Sequence, residues 1–163
     1  MNIASQAAHI GLDWDTRTGA VTVPIYQTAT FRHPGLGQST GYDYSRSGNP
    51  TRQALEEGIA RLDGGCRGFA YSSGMAAITS LLFLFSRGDH IIVTEDLYGG
   101  TYRLFEKIFN QYGLEFSYVD TSDNEAVLGA LQPNTKALFV ESLTNRSGLP
   151  YGVVEALCPV GVA

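Results

Sequence analysis

One short turn, Ser72-Ser73-Gly74-Met75, combines residue types that could bind an anion. The apolar residues before it predict a strand over 68–71, and those after it predict a helix over 75–86. Backbone N–H groups at the start of a helix, with the helix dipole behind them, form a site suited to phosphate. Glycine would let the ligand approach the backbone closely. The alternative is a strand–helix turn that needs glycine for its geometry only, and the turn by itself leaves both interpretations open.

The elements that must position this turn alternate between helix and strand. Asn49 and Pro50 are typical of the first residues of a helix, and Leu55, Ile59 and Leu62 follow at helical spacing. Beyond the turn, the pattern predicts strands over 90–94, 114–119 and 136–140, a helix over 101–112, and a helix capped by Asp123 with Val127, Leu128 and Leu131 facing inward. This alternation predicts an α/β fold with right-handed crossovers and a mainly parallel sheet.

The two ends of the chain differ from this middle part. Residues 1–48 show little periodicity and are predicted to form an extended N-terminal arm. Residues 49–145 form the predicted α/β domain. Residues 146–163 form an atypical tail, in which a helical turn over 153–157 is expected to end at Pro159, with no further strand.

Composition excludes several classes of protein. The net charge of −5, with 11 scattered lysines and arginines, argues against a nucleic-acid partner. Cys66 and Cys158 form neither a disulfide framework nor a metal-ligand pair, which predicts a reducing cytosol and no metal site. The longest apolar run, over 76–85, is too short to span a bilayer, which needs about 20 residues. We therefore expect a cytoplasmic protein without a membrane partner.

Three segments together carry a family resemblance. Residues 44–51 (Tyr-Ser-Arg-Ser-Gly-Asn-Pro-Thr), 71–77 (Tyr-Ser-Ser-Gly-Met-Ala-Ala) and 96–103 (Asp-Leu-Tyr-Gly-Gly-Thr-Tyr-Arg) resemble, in this order and spacing, the pyridoxal 5'-phosphate (PLP) enzymes of cysteine and methionine metabolism. That family includes cystathionine γ-synthase, cystathionine lyases and O-acetylhomoserine sulfhydrylase. The resemblance covers roughly residues 10–145. It implies part of a three-layer, aminotransferase-type (fold type I) sandwich, with 49–145 as a partial PLP-binding domain.

The resemblance implies a set of cofactor-binding residues. The amides of Gly74 and Met75 would hold the cofactor phosphate. Tyr44 and Arg46 would reach the same phosphate from a neighbouring subunit, which implies self-association. A guanidinium offers phosphate two charge-assisted hydrogen bonds. The alternative for Arg46 is a solvated arginine beside a turn.

Further residues are implied for the ring and the substrate. Tyr98 would stack on the pyridine ring and assist proton transfer; the alternative is an aromatic side chain packed at a helix start. Arg103 would contact the substrate; the alternative is a solvated helix face. Glu141 matches the acidic residue at the end of the fourth strand and is assigned to the substrate side. Asn145 would bond the phenolic oxygen of the ring, although Leu143 and Arg146 replace the two prolines usual in that loop.

The resemblance also implies groups that these 163 residues lack. They are an aspartate for the ring nitrogen, a Ser-x-Thr-Lys segment with the lysine that bonds the cofactor, and a C-terminal domain for the substrate carboxylate. Lys107 and Lys136 match none of these. We therefore expect a truncated member of the family, inactive alone. Its reaction would be γ-replacement or elimination on an amino acid such as an O-acyl-homoserine or cystathionine. Residues 30–37 and 40–44 are most similar to the γ-synthase and O-acetylhomoserine sulfhydrylase branch.

Two other hypotheses compete with this one. The chain could be a non-catalytic fragment, or half of a split enzyme that acts through association. It could also be a different phosphate-binding α/β domain, but it lacks both the Gly-x-Gly-x-x-Gly and the P-loop lysine motifs.

Overall fold

The computed structural model describes residues 2–12, 15 and 17–142, together with the backbone of 153–159. The chain divides into two compact units, Met1–Tyr71 and Ser72–Ala163. The first unit contains helices α1 and α2, and the second contains helices α3 to α5 and strands β1 to β4. Their bounds are α1 Ile3–Ala8, α2 Pro50–Leu62, α3 Gly74–Leu82, β1 His90–Thr94, α4 Gly99–Leu104, β2 Glu115–Val119, α5 Asn124–Gly129, β3 Thr135–Ser142 and β4 Val153–Pro159.

Helix α2 organises the first unit. It begins where the sequence predicts, because the Asn49 side chain accepts the Thr51 N–H at 2.9 Å and Pro50 is the first helical residue. Helix α1, which the sequence analysis does not predict, packs on α2. The chain just after α1 also approaches α2 closely, because Gly58 has no side chain: a Cβ there would overlap Ile10.

The segment between these helices is irregular but ordered by hydrogen bonds. Thr30 and Tyr44 form an isolated antiparallel bridge. Beside it, the Phe31 N–H donates to the Asp43 carbonyl at 3.0 Å, and the Ser45 N–H donates to the Ala29 carbonyl at 2.8 Å. The chain therefore doubles back on itself before α2. The domain boundaries predicted at residues 48 and 145 stay predictions.

The second unit is built on a four-stranded sheet in the order β2-β1-β3-β4. Strand β1 pairs in parallel with both β2 and β3, and β3 pairs antiparallel with β4. The predicted α/β class and mainly parallel sheet are confirmed. Asp123 caps α5 as predicted, accepting the Glu125 N–H at 2.9 Å. Leu128 and Leu131, however, are exposed instead of facing inward, because α5 ends at Gly129 and buries no residue.

Two secondary-structure predictions are wrong. Residues 68–71 form no strand, because the backbone there lies against α2: the Ala70 N–H donates to the Glu56 carboxylate at 2.9 Å, and Gly68 abuts the Glu56 carbonyl. Residues 153–157 are not a helical turn but part of β4, which pairs with the edge of β3. Tertiary pairing outweighs the weak helical pattern there.

The core of the second unit lies between the central strands and the helices α3 and α4. Phe105 and Phe139 are fully buried, and Ile91, Val93 and Leu82 pack with them. The predicted helix over 101–112 is present in a different form, since α4 passes into a π-helical turn at Phe105–Phe109. Phe105 and Phe109 are buried, whereas Tyr102 and Tyr112 are exposed. Among the residues described, no helix is both long and apolar enough to cross a membrane.

Candidate functional site

The candidate site lies where the parallel strands of the second unit end. From β1 the chain moves to β2 on one side of the sheet and then crosses to β3 on the other. Such a switch point opens a crevice outside the carboxyl ends of the strands, where α/β proteins bind ligands. The loop after β1 carries Tyr98, and the end of β3 carries Glu141. Helix α3 runs into the start of β1, so its first residues face the same edge.

The start of α3 offers unoccupied N–H donors. Ser73 caps the helix by accepting the Ala76 N–H at 3.1 Å. Within the described part of the chain, no acceptor is bonded to the N–H of Gly74 or Met75. A Cβ built on Gly74 would meet no atom within 4 Å, and its φ is not positive. Neither backbone conformation nor packing therefore requires glycine at this position, so the purely geometric interpretation of the turn loses its support.

Met75 joins α3 to α4 at this edge. The hydroxyl of Thr101, which is fully buried, lies 4.0 Å from the Met75 sulfur. Since Thr101 belongs to the first turn of α4, this contact holds the starts of the two helices together. The candidate phosphate donors and Tyr98 therefore belong to one packed cluster.

Tyr98 is held through its backbone and leaves its ring accessible. Its N–H donates to Glu141 Oε2 at 2.9 Å, and its carbonyl accepts the Tyr102 N–H at 3.1 Å. The side chain remains 47% exposed. Tyr98 is therefore not an aromatic side chain packed in the core, which was the alternative interpretation of this position.

Three further basic side chains follow along α4 and β3, and only the two lysines are far from this edge. Arg103 is exposed in the last turn of α4, and its Nη1 lies 3.6 Å from a Cβ built on Gly99. Lys107 lies in the π-helical turn, nine residues after Tyr98, which is about 14 Å along the helix at 1.5 Å per residue. Lys136 lies near the start of β3, about 17 Å along the strand from Glu141 at about 3.3 Å per residue. Neither lysine supplies an amine at the candidate site.

Tyr44 and Arg46 lie together in the first unit. The Arg46 guanidinium carbon is 5.1 Å from the centre of the Tyr44 ring, a cation–π arrangement. Both side chains are exposed. The turn that carries them is held by Arg52, whose guanidinium donates to the carbonyls of Ser45, Arg46 and Ser47 at 3.2–3.3 Å. Asn145, the remaining predicted cofactor ligand, lies outside the described residues.

Two residues that shape the surroundings of Tyr44 and Tyr98 were not predicted from the sequence. Arg52 holds the turn that carries Tyr44 and Arg46 through hydrogen bonds to its carbonyls. Gly100 leaves room for the Tyr98 ring, since a Cβ on Gly100 would overlap the ring carbons. The Gly-Gly pair after Tyr98 is a signal that could have identified Gly100. No sequence signal identifies Arg52, because its bonds to three carbonyls depend on how the turn folds over α2.

The family model for Cys/Met metabolism PLP-dependent enzymes matches residues 4–148. The chain belongs to this family. It is 53% identical to a cystathionine gamma-lyase of Bacillus subtilis over 137 residues, which is 84% of this chain and 36% of that protein. It is 52% identical to a cystathionine gamma-synthase/O-acetylhomoserine (thiol)-lyase of the same organism over 144 residues, which is 88% of this chain and 39% of that protein.

Solved structures agree with the family assignment. The crystal structure of cystathionine gamma-lyase from Lactobacillus plantarum complexed with L-serine matches with a TM-score of 0.82 and 49% identity, over 90% of this chain and 38% of that one. The fold is therefore part of the fold-type I architecture of PLP enzymes, and PLP is the cofactor of this family. The chain spans well under half the length of the relatives it matches.

Proposed function

We propose that this chain carries the cofactor-phosphate and ring-binding part of a PLP-dependent transsulfuration enzyme. The observation that carries the proposal is the hydrogen bond between Tyr98 and Glu141 at the switch point of the sheet, together with the Met75–Thr101 contact that joins the start of α3 to the start of α4. Relatives that match here include a γ-lyase and a γ-synthase/(thiol)-lyase. We assign the chain to γ-replacement or elimination on an amino acid such as an O-acyl-homoserine or cystathionine, in the cytoplasm.

The residues at the start of α3 fit a phosphate. The N–H groups of Gly74 and Met75 point out of the helix start and have no acceptor among the described residues. The space above Gly74 is open to 4 Å. A phosphate placed there would accept hydrogen bonds from both N–H groups and lie at the positive end of the helix dipole.

Tyr98 fits the role of a ring-stacking residue. Its ring is half exposed at the strand edge, and its backbone is fixed on both sides. A fixed aromatic face stacks on a flat, electron-poor ring. When bound, the cofactor acts as an electron sink for changes at the β or γ carbon of the amino acid. The Tyr98 hydroxyl would hold or pass a proton beside the substrate amine.

Tyr44 and Arg46 are proposed to serve the phosphate of a second copy of the chain. The Arg52 clamp presents their side chains outward from a fixed turn, which is what contact with a neighbouring molecule needs. Arg103, at the surface near the same edge as Tyr98, is kept as a candidate substrate contact. Asn145 is kept as a candidate partner of the ring oxygen.

We also propose that the 163 residues alone do not turn over substrate. Both of their lysines lie more than about 10 Å from the site edge, and a positioned amine is needed to bond the cofactor. The alternative, a non-catalytic fragment or half of a split enzyme, makes the same prediction for the lone chain. Adding a separately expressed polypeptide that carries the Ser-x-Thr-Lys segment would restore turnover only in the split-enzyme case.

A binding experiment tests the proposed site. Pyridoxamine 5'-phosphate, which is fluorescent and has no aldehyde, is titrated into the chain beside pyridoxamine. We expect binding that depends on the phosphate. Gly74→Ala should weaken it by roughly tenfold, which corresponds to about 1.4 kcal/mol, because the added methyl group occupies the phosphate position.

Gly129→Ala is the matched control. Gly129 is also helical and also has nothing within 4 Å of a built Cβ. Each alanine should stabilise its helix by up to about 1 kcal/mol, so the two variants differ only at the proposed phosphate. Equal affinity for both ligands, or equal binding by the two variants, would contradict the proposal.

A further inference from the structure

We propose that Glu141 is a positioning residue that orients Tyr98, and that it does not contact the substrate. Its Oε2 accepts the N–H of Tyr98 at 2.9 Å, across 43 residues of sequence. The bond crosses from the end of β3 to the loop that follows β1, the two central strands of the sheet. This inference rests on the proposed function only in giving Tyr98 its ring-stacking role.

The start of α4 lacks a cap of its own. Its N-cap residue is Tyr98, which offers no side-chain hydrogen bond to the helix. Thr101, three residues later, points its hydroxyl at Met75 instead of back at the cap. In a capping box, a glutamate at that third position would accept the N–H of the N-cap residue. Here Glu141 makes that bond from a neighbouring strand.

The bond fixes the direction of the Tyr98 ring. With its N–H held by Glu141 and its carbonyl accepting from Tyr102, the Tyr98 backbone cannot rotate freely. A Cβ on Gly100 would overlap Tyr98 Cε1, so the ring lies directly against the Gly100 backbone. One side of the ring is supported in this way, while about half of the side chain stays exposed.

One of the two carboxylate oxygens of Glu141, Oε2, is therefore already engaged by the Tyr98 N–H. A hydrogen bond to an ionised acceptor is stronger than a neutral one, and the negative charge is favourable at the start of a helix. To position Tyr98, residue 141 needs only an oxygen that accepts the Tyr98 N–H. A glutamine side chain has such an oxygen but carries no charge. Binding a substrate ammonium group, in contrast, would require the negative charge of the glutamate. The Glu141→Gln variant therefore distinguishes positioning of Tyr98 from direct substrate binding.

The experiment compares Glu141→Gln with Glu141→Leu. The first readout needs no ligand: hydrogen exchange of the Tyr98 amide. We expect protection in the wild-type chain and in E141Q, and faster exchange by about three- to tenfold in E141L. Unchanged protection of the Tyr98 amide in E141L would overturn the inference, whether or not the chain binds any cofactor.

The second readout is affinity for pyridoxamine 5'-phosphate. E141L should bind about three- to tenfold more weakly than wild type, while E141Q should retain most of the affinity. In a Tyr98→Leu background, E141L should have no additional effect, because Glu141 acts through Tyr98. The positioning role would be refuted if E141Q and E141L lost the same amount of affinity. It would also be refuted if E141L lowered the affinity as much in the Tyr98→Leu background as in the wild type.

Gly100→Ala gives an independent check of the same arrangement. The added methyl group should displace the ring and weaken pyridoxamine 5'-phosphate binding while leaving the Tyr98 amide protected. Loss of amide protection in G100A together with weakened binding would show general unfolding of the helix start and count against a specific ring position. A wild-type chain that does not bind the ligand at all would refute the proposed function, while amide exchange would still decide the role of Glu141.

Discussion

His90 is a buried, titratable residue at the edge of the sheet opposite the candidate site. It is 1% exposed, and its Nδ1 lies 2.7 Å from Thr135 Oγ1. Its Nε2 lies 2.9 Å from Ser117 Oγ, so the imidazole connects side chains of all three parallel strands. Burial lowers the pKa of His90, while the nearby Glu115 carboxylate opposes this with a smaller effect. Burial therefore favours the neutral form of the ring.

The lowered pKa of His90 predicts loss of stability in acid. The unfolded chain takes up a proton on this residue at a higher pH than the folded chain does, so stability falls as pH drops through the ordinary histidine range and below. We expect the free energy of unfolding, measured with urea, to decrease between pH 7.5 and 5. His90→Gln should show a smaller decrease.

His90→Gln should also cost about 1–3 kcal/mol at neutral pH, because it disturbs the buried hydroxyl of Thr135 and the half-buried hydroxyl of Ser117. His9→Gln is the control, since His9 is exposed and its Nδ1 lies 2.6 Å from the nearby Ser5 carbonyl. A pH dependence that is the same in wild type and His90→Gln would show that His90 does not titrate as described.

At the scale of elements, the start of α2 and the turn before it form one hydrogen-bonded unit. Asn49 donates to the Tyr26 carbonyl and to Ser45 Oγ, each at 3.0 Å, besides capping the helix. Arg52 bonds three successive carbonyls and pairs with Glu56 at 3.3 Å. The helix cap is readable in the sequence, but the carbonyl clamp follows only from the folded turn.

Arg52→Lys should loosen this turn without removing the charge. A lysine can still pair with Glu56, but one ammonium group cannot bond three carbonyls in a fixed fork. We expect hydrogen exchange of the Ser47 and Gly48 amides, both bonded to the Tyr44 carbonyl, to speed up by about five- to thirtyfold.

Exchange in β1 provides the internal reference for that measurement, because β1 belongs to the other compact unit. It should not change in Arg52→Lys. If the Ser47 and Gly48 amides exchanged at the wild-type rate, the carbonyl bonds of Arg52 would contribute nothing to the turn.

At the scale of the whole molecule, the aromatic core is expected to dominate the stability of the second unit. Phe105 is fully buried, stacks on Phe116 at 4.8 Å between ring centres and meets Phe139 edge-on at 5.3 Å. Phe105→Ala should cost about 3–5 kcal/mol. Leu84→Ala, at a side chain that is 75% exposed, should cost less than about 0.5 kcal/mol. Thermal unfolding of the two variants measures the difference, and similar midpoints would contradict this core assignment.

Self-association is a second expectation at this scale. Tyr44 and Arg46 are proposed to act on a second copy, and the second unit exposes Phe83, Leu84 and Tyr112. Exposed apolar side chains of this size favour association. Sedimentation velocity at tens of micromolar (roughly the range in which such surfaces associate) should show species larger than a monomer. A single monomeric boundary would argue against the proposed role of Tyr44 and Arg46.

Short sequence patterns were sufficient to predict those helices and strands that are determined by a few neighbouring residues. The cap residues Asn49 and Asp123 mark the starts of α2 and α5, and the β-branched run at 90–94 marks β1, because capping and strand preference act within a few residues. The three family motifs likewise identified the fold type and the cofactor. The prediction failed at 68–71 and at 153–157, where hydrogen-bond partners on α2 and β3 decided the backbone conformation.

Only the tertiary structure decided which side chains meet. Glu141 and Tyr98 are 43 residues apart, and their bond exists because β1 and β3 are neighbours in the sheet. The same holds for His90, whose ring lies 2.7 Å from the Thr135 hydroxyl on a neighbouring strand. A sequence pattern records the periodicity of one element, whereas a contact between two elements depends on strand order and register, which no single segment encodes.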